Sequence, residues 1–310
     1  MRRREFIKVI AGATIWPLAA RAQEQRHPIE LTIRTMAAQG ATQDTLLRTL
    51  QEIMAGRSLH LSIINTPGQD GVKAALDSRK DPADGSFLLM TTAYTLTYYP
   101  QYGNAGYTID DFEPVLGIGH YNLVVIAPAS SPDSDLKQIL ARVRAERRTL
   151  RYAGIGEVDR LMMAAITKKA GVVLDFVAAG GGPALVAKVV NGEVDVGFGT
   201  GTHRPLLKEG KVKVVAQLHS RDSEPRLLKP LDFGVDADMD NFILISAPHG
   251  IPANRKAAIA AALIEATSDP RVQEVITNKL LMTPALLKDA DLRAALKRQT
   301  RGFEVLRAIN

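Results

Sequence analysis

From residue 29 onward the chain alternates two hydrophobic rhythms, a two-residue alternation over short runs and a 3.6-residue period over longer ones. In 29–35, Ile29, Leu31 and Ile33 alternate with Glu30, Thr32 and Arg34, so a strand is predicted behind Pro28. A loop of Ala38-Gln39-Gly40-Ala41 follows. Residues 44–54 then carry Leu47, Leu50 and Met54 at helical spacing up to a stop at Gly56. The unit recurs. Residues 58–64 predict a strand, 65–71 a loop and 72–79 a short helix, and 87–90 predict a strand running into the hydroxyl-rich loop Thr91-Thr92-Ala93-Tyr94.

Farther along, 123–127 predict an apolar strand ended by Pro128, 136–147 a helix, and 150–153 a strand leading into Gly154-Ile155-Gly156. Leu161, Met162, Ala165 and Ile166 set a helical stripe from Asp159, read as its N-cap, to Gly171. Residues 172–178 predict a strand before Gly180-Gly181-Gly182-Pro183. Proline lacks the N–H that a first helical turn leaves unpaired, so Pro183 reads as the first helical residue and Gly192 as the stop. Val194, Val196 and Phe198 alternate as a strand, and 212–218 and 242–247 predict two more. Beyond Pro248-His249-Gly250-Ile251-Pro252 the pattern predicts helix to the end.

This succession predicts an α/β protein with largely parallel sheets. The chain is expected to change domain near 123–127 and near 241–247. Residues 28–123 and 245–310 would then form a discontinuous domain 1 and 124–244 domain 2, with a ligand cleft between them. A length of 310 residues suits two domains. The mixture of 46% hydrophobic and 23% charged residues excludes both a disordered chain and a polytopic membrane protein.

The net charge of +6 changes meaning once it is located. Residues 1–22 hold five basic residues against Glu5, a net of +4, which leaves +2 for the rest of the chain. No basic cluster interleaved with aromatics remains, so a nucleic-acid partner is not expected. Residues 1–22 have the layout of a secretory signal peptide: a basic head, an apolar run over 9–20 and a small-residue site Ala20-Arg21-Ala22, with cleavage expected after Ala22. The run is interrupted by Gly12 and Pro17 and is too short to span a bilayer. Arg3-Arg4-Glu5-Phe6-Ile7-Lys8 resembles the twin-arginine export signature, with ordinary secretion as the alternative.

Candidate chemistry is sparse. The absence of cysteine excludes disulfides, thiolate metal sites and thiol nucleophiles. No Gly-x-Ser-x-Gly elbow and no Gly-Lys-Ser/Thr loop occur, and the third glycine of a dinucleotide fingerprint is missing after Gly156. The histidines at 27, 60, 120, 203, 219 and 249 never fall three or four apart, so no helical metal pair forms. No catalytic residue, metal or cofactor is expected. What repeats is a strand, a small-residue loop and a helix N-terminus, at 39–42, 65–71, 91–94, 154–159 and 180–183. Such junctions present unpaired N–H groups and a positive helix end that suit a carboxylate, although glycine serves tight turns for packing alone as well.

Several segments in order carry a resemblance. They are Pro28-Ile29-Glu30-Leu31 with Gln39-Gly40-Ala41-Thr42-Gln43-Asp44 and Arg48, the 65–71 loop, Asp84-Gly85, Asp111-Phe112 with Pro114-Val115, and 150–156. Ala179 to Ala184, Asn191-Gly192-Glu193-Val194-Asp195, Glu209-Gly210-Lys211-Val212 and Ala247-Pro248-His249-Gly250-Ile251-Pro252 continue the series. Together they resemble the Bug (TctC-type) substrate-binding proteins of tripartite tricarboxylate transporters. The resemblance implies a two-domain periplasmic-binding-protein fold of type II-like form, with two mixed sheets flanked by helices and a cleft between domains. It implies a periplasmic monomer that captures a small carboxylate, aliphatic or aromatic, an amino acid included, and hands it to membrane permease subunits. A ligand-loaded partner of a periplasmic sensor domain is the alternative, and an enzyme a more distant one.

In that family the carboxylate is held largely by backbone N–H groups and ordered waters, and the matching positions here are Gln39, Gly40, Ala41 and Thr42 in the first loop and Gly181 and Gly182 in the second. Thr91, Thr92, Gly154, Gly156, Thr200 and His203 complete the expected ligand-binding set. Asp44 and Arg48, at i and i+4, read as a helix-surface ion pair. Tyr94 and Tyr121 read either as walls for an aromatic acid or as core. The chain departs from the family pattern at Ala41, at Glu157-Val158-Asp159-Arg160 and at Gly199-Thr200. Glu157 would repel a second carboxylate and Arg160, His203 or Arg204 attract one, unless all four are solvated surface charge.

Overall fold

The computed structural model describes residues 29–55, 59–103, 105–221 and 227–310, and the leader expected at 1–22 lies outside the described residues. The first stretch runs β1 (Ile29–Thr35), α1 (Thr42–Ala55), β2 (Leu59–Asn65), α2 (Val72–Ser78), β3 (Phe87–Thr92), α3 (Ala93–Thr97), α4 (Tyr99–Tyr102) and β4 (Phe112–His120). The middle runs β5 (Val124–Pro128), α5 (Leu136–Ala145), β6 (Leu150–Gly154), α6 (Glu157–Ala170), β7 (Leu174–Ala178), α7 (Gly182–Val190), β8 (Val196–Gly199), α8 (Arg204–Lys208) and β9 (Val212–Gln217). The last holds β10 (Phe242–Pro248), α9 (Ala253–Thr267), α10 (Pro270–Glu274), β11 (Thr283–Leu287) and α11 (Asp289–Ile309).

The first and last stretches build a six-stranded sheet in the order β11-β4-β10-β3-β1-β2, and the middle builds a five-stranded sheet in the order β7-β6-β8-β5-β9. Both are mixed. β1 lies parallel to β2 and β3, whereas β10 inserts antiparallel between β3 and β4 and β11 pairs antiparallel with β4. In the second sheet β6 is parallel to β7 and β8, and β5 is antiparallel to β8 and β9. The largely parallel sheets suggested by the strand and helix rhythm are therefore corrected. The two-sheet periplasmic-binding-protein-like architecture stands.

The rhythm missed two strands. Pro114, Gly117 and Gly119 break the alternation of β4, and β11 falls in the region expected to be helical throughout. Pro284 is tolerated in β11 because that strand is the sheet's edge. Helix starts also shift. α6 begins at Glu157, so Asp159 caps it from inside the first turn, and α7 begins at Gly182 rather than Pro183. Thr91 and Thr92 end β3 rather than forming a loop.

Each sheet buries aliphatic side chains against its helices, and α11 serves both. Its Leu292 and Leu296 pack with Leu89, Phe242 and Leu244 of the first sheet. Phe303 and Leu306 belong to the core of the second. Each fully buried side chain of this size contributes about 1.5–3 kcal/mol, so α11 is a substantial bond between the halves.

Candidate ligand-binding cleft

The loop after β1 is organised by a carboxylate. Asp44, fully buried, accepts hydrogen bonds from Gly40 N–H at 2.8 Å, Arg48 Nε at 2.8 Å and Asn65 Nδ2 at 2.8 Å. Asn65 Nδ2 also donates to the Ala37 carbonyl at 3.0 Å. Gly40 has φ +80°, a left-handed conformation suited to glycine, and this turns its amide inward to Asp44. Burial alone would raise the Asp44 pKa, but the hydrogen bonds from Arg48, Asn65 and Gly40 hold it below the ordinary carboxylate value. The expected surface ion pair is thus corrected. Only Arg48 reaches solvent, and Asp44 ties the loop to α1 and β2.

With the loop fixed, Ala41 and Thr42 line a cavity of about 390 Å³ together with Gln43, Tyr121, Thr200, Thr202 and Lys279. Thr42 opens α1, so the N–H groups of Thr42, Gln43 and Asp44 belong to the turn that has no intrahelical acceptors. The helix dipole and the exposed Lys279 both make this end favourable to an anion.

A second cavity of about 700 Å³ adjoins it, and Met36, Tyr121 and Thr200 line both. Gln43 Nε2 donates to Tyr121 Oη at 3.0 Å and holds the phenol at the junction. Five of the chain's seven tyrosines line this larger space: Tyr94, Tyr98, Tyr99, Tyr102 and Tyr121. Tyr98 and Tyr102 stack with ring centroids 4.6 Å apart. Tyr94 Oη donates to the Met239 carbonyl at 2.5 Å, and Tyr99 Oη to Asp70 Oδ2 at 2.6 Å. Burial pushes the Tyr98 phenol up to about 12, so it stays neutral at physiological pH.

The opposite wall comes from the β6–α6 junction at 155–159, with Phe198 beside it. Asp159 Oδ1 accepts from Gly156 N–H at 2.8 Å and Oδ2 from Tyr152 Oη at 3.0 Å. Burial pushes the Asp159 carboxyl up to about 6, against the opposing pull of those hydrogen bonds. Arg160 Nε donates to Glu157 at 2.8 Å, and this partner holds the exposed Glu157 carboxyl below its ordinary value.

Five of the expected site residues reach the cavities: Ala41, Thr42, Thr92, Gly156 and Thr200. Gln39 and Gly40 lie in the adjoining exposed loop. Gly182 packs against Thr202, a cavity wall, while Gly181 precedes it at the start of α7. The other three are turned elsewhere. Thr91 is fully buried and donates to Thr95 Oγ1 at 2.5 Å, and Gly154 is buried beneath Phe176 and Asp159. His203 is buried with Nδ1 accepting from Gly201 N–H at 3.3 Å, and burial lowers its pKa to about 4, so it supplies no positive charge. Arg160 spends its guanidinium on Glu157 and supplies no free cation.

Lys279, Asp70, Tyr98, Tyr99 and Tyr102 were missed from sequence, whereas Tyr94 and Tyr121, read as walls or as core, do line the larger cavity. The crowding of four tyrosines between 94 and 102 was the available signal, whereas nothing local marks Lys279. Among the described residues no group of three or more metal-ligating side chains occurs, and no helix is long and apolar enough to cross a membrane.

Residues 46–295 match the family described as the tripartite tricarboxylate transporter family receptor, TctC. The chain is 26% identical over 301 residues to the "UPF0065 protein in the TAR-I ttuE-ttuC' intergenic region" of Agrobacterium vitis, covering 94% of this chain and 86% of that protein. A TctC solute-binding protein from Polaromonas, solved with no ligand, superposes with a TM-score of 0.77 at 17% identity over 90% of this chain and 96% of that one. MatC from Rhodopseudomonas palustris, solved with bound malate, superposes with a TM-score of 0.65 at 22% identity over 89% and 98% of the two chains. The family match spans most of the chain, and the chain belongs to the TctC receptors of tripartite tricarboxylate transporters, a family of solute-binding receptors rather than enzymes.

Proposed function

We propose that this receptor captures a small organic carboxylate in the cleft and delivers it to the permease subunits of a tripartite tricarboxylate-type transporter. The observation that carries this reading is the start of α1. Thr42 and Gln43 of its first turn share a cavity with Lys279, Thr200 and Thr202, residues drawn from both halves of the chain. Thr42 and Lys279 hold the acid's charged end in this reading, Ala41 and the Gln39-Gly40 turn shape the approach, and Gly182, with Gly181 before it, supports Thr202 from behind. The malate bound to the Rhodopseudomonas relative supports the same ligand class. Domain 1, at 28–123 and 245–310, and domain 2, at 124–244, close over the ligand. The receptor works in the periplasm as a monomer after twin-arginine export and cleavage behind Ala22.

Calorimetry of the mature protein against a panel of mono- and dicarboxylates, malate included, tests the reading. At least one acid is expected to bind, and Lys279→Met to weaken it about tenfold by removing a charge-assisted contact. Binding of sugars or metal ions with no acid bound would overturn it. In cells, Arg3→Lys with Arg4→Lys is expected to leave the precursor in the cytoplasm, and undiminished export would remove the twin-arginine assignment.

A further inference from the structure

The two cavities have opposite electrostatic characters. The smaller has Lys279 and a helix N-terminus on its wall. The larger is lined by Asp70, Glu157 and Asp159 and, among the described residues, by no lysine or arginine. Arg160 offsets Glu157 through its ion pair, which leaves Asp70 and Asp159 facing a space walled by five tyrosines. A second carboxylate would meet both charges there. It would also find the start of α6 already answered from within, because Gly156 N–H donates to the chain's own Asp159. An organic cation meets the reverse. Tyrosine ring quadrupoles attract it, the acids balance its charge, and a weakly hydrated ammonium loses little on leaving water.

We propose that the ligand is a zwitterionic acid whose carboxylate sits at the start of α1 and whose organic ammonium group occupies the tyrosine-lined basin between Asp70 and Asp159. The inference rests on the carboxylate-capture reading and narrows its ligand class. It assigns the residues a division of labour: Thr42 and Lys279 read the acid, while Tyr98, Tyr99, Tyr102 and the two aspartates select the far end. Tyr121, held by Gln43, stands where the connecting chain of the ligand passes. Glu157 and Arg160 form a neutral rim pair that keeps the arginine's charge from the basin.

The test is titration calorimetry of the mature protein with trimethylammonio-substituted ethanoate, butanoate and hexanoate. Each is compared with the alkanoate in which carbon replaces the ammonium nitrogen, neutral at its far end and here the neutral analogue, with adipate as the dicarboxylate and butyltrimethylammonium as the cation lacking an acid. At least one zwitterion is expected to bind about tenfold or more tightly than its neutral analogue, the scale of a desolvated cation among aromatic faces and carboxylates. Asp70→Asn is expected to reduce that preference. Glu157→Gln, which frees Arg160, is expected to reduce it as well.

Equal affinity for zwitterion and neutral analogue, or tighter binding of adipate, overturns the inference and leaves carboxylate capture intact. Equal binding of butyltrimethylammonium and the zwitterion overturns the carboxylate reading instead, and with it this assignment. A preference untouched by both substitutions moves the cation out of this basin, and failure of every probe to bind overturns the inference outright.

Discussion

Asp44 and Asp159 occupy the same place in two helices, the third position of the first turn, and their environments drive them in opposite directions. Arg48 and Asn65 help hold Asp44 ionised, whereas Asp159 has a phenol and an amide for company and keeps its proton up to about pH 6. An unfolded aspartate ionises near 3.8, so between 3.8 and about 6 the folded chain holds the extra proton and Asp159 costs stability as pH rises. Asp44 does the reverse, contributing stability above its unfolded pKa that fades as pH falls. His203 and His219, both lowered to about 4 by burial, also lose their contribution as pH falls from 6.5. Asp159→Asn keeps an oxygen for Gly156 N–H. Its stability, measured by urea denaturation from pH 4 to 7, should climb more steeply with pH than wild type and exceed it at pH 7 by up to about 2 kcal/mol. Parallel curves would refute the burial cost. Asp44→Asn should lose about 1–3 kcal/mol at pH 7 by weakening the buried network. Sequence spacing exposed the Asp44 and Arg48 pair, but Asn65 arrives from the next strand, so burial of the pair was invisible to any local rule.

At the scale of elements, periodicity recovered most strands and helices because each buries one face. It failed where long-range pairing decides. β4 makes sense only as the partner of β10 and β11, and β11 only as the partner of β4, and nothing within residues 283–287 outweighs the surrounding helical pattern. α11 presents the converse case, a helix that was legible while one of its residues was not. Gly302 lies mid-helix, where replacement by alanine ordinarily gains about 1 kcal/mol. Here a Cβ would lie 2.8 Å from the backbone nitrogen of Asp238, and neighbouring Gln299 Nε2 donates to the Asp240 carbonyl at 2.6 Å, so this segment is held against the helix. Overpacking against backbone costs about 1–3 kcal/mol, which outweighs the propensity gain. Gly302→Ala is therefore expected to lower stability in urea denaturation. A gain of stability would show that the segment yields and that α11 does not clamp it.

Across the whole molecule, two sheets border one cleft: β4 of the first leads to β5 of the second and β9 of the second to β10 of the first, while α11 packs on both cores. The five loops picked out by sequence converge only in part. Small-residue loops advertise helix N-termini, yet which ones face the cleft depends on how the sheets sit together, and the acidic lining at Asp70, Glu157 and Asp159 follows from that arrangement. Charge reads differently too. Most of the +6 lies in residues 1–22, so in the proposed function attraction for an anion depends on placed groups such as Lys279 rather than on the overall field of residues 23–310. Closure can be followed with a built-in reporter. Trp16 is the only tryptophan, so a chain without residues 1–22 emits from tyrosine alone, and five of the seven tyrosines line the cleft. Saturation with a bound acid is expected to alter tyrosine emission and to reduce the radius of gyration in X-ray scattering at the same ligand concentration, as hinge closure around a ligand requires. α11 packs on both cores, so the expected closure bends the chain at 121–123 rather than separating the helix. An emission change with an unaltered scattering curve would mean that the ligand enters a cleft already shaped for it and that the two halves do not move.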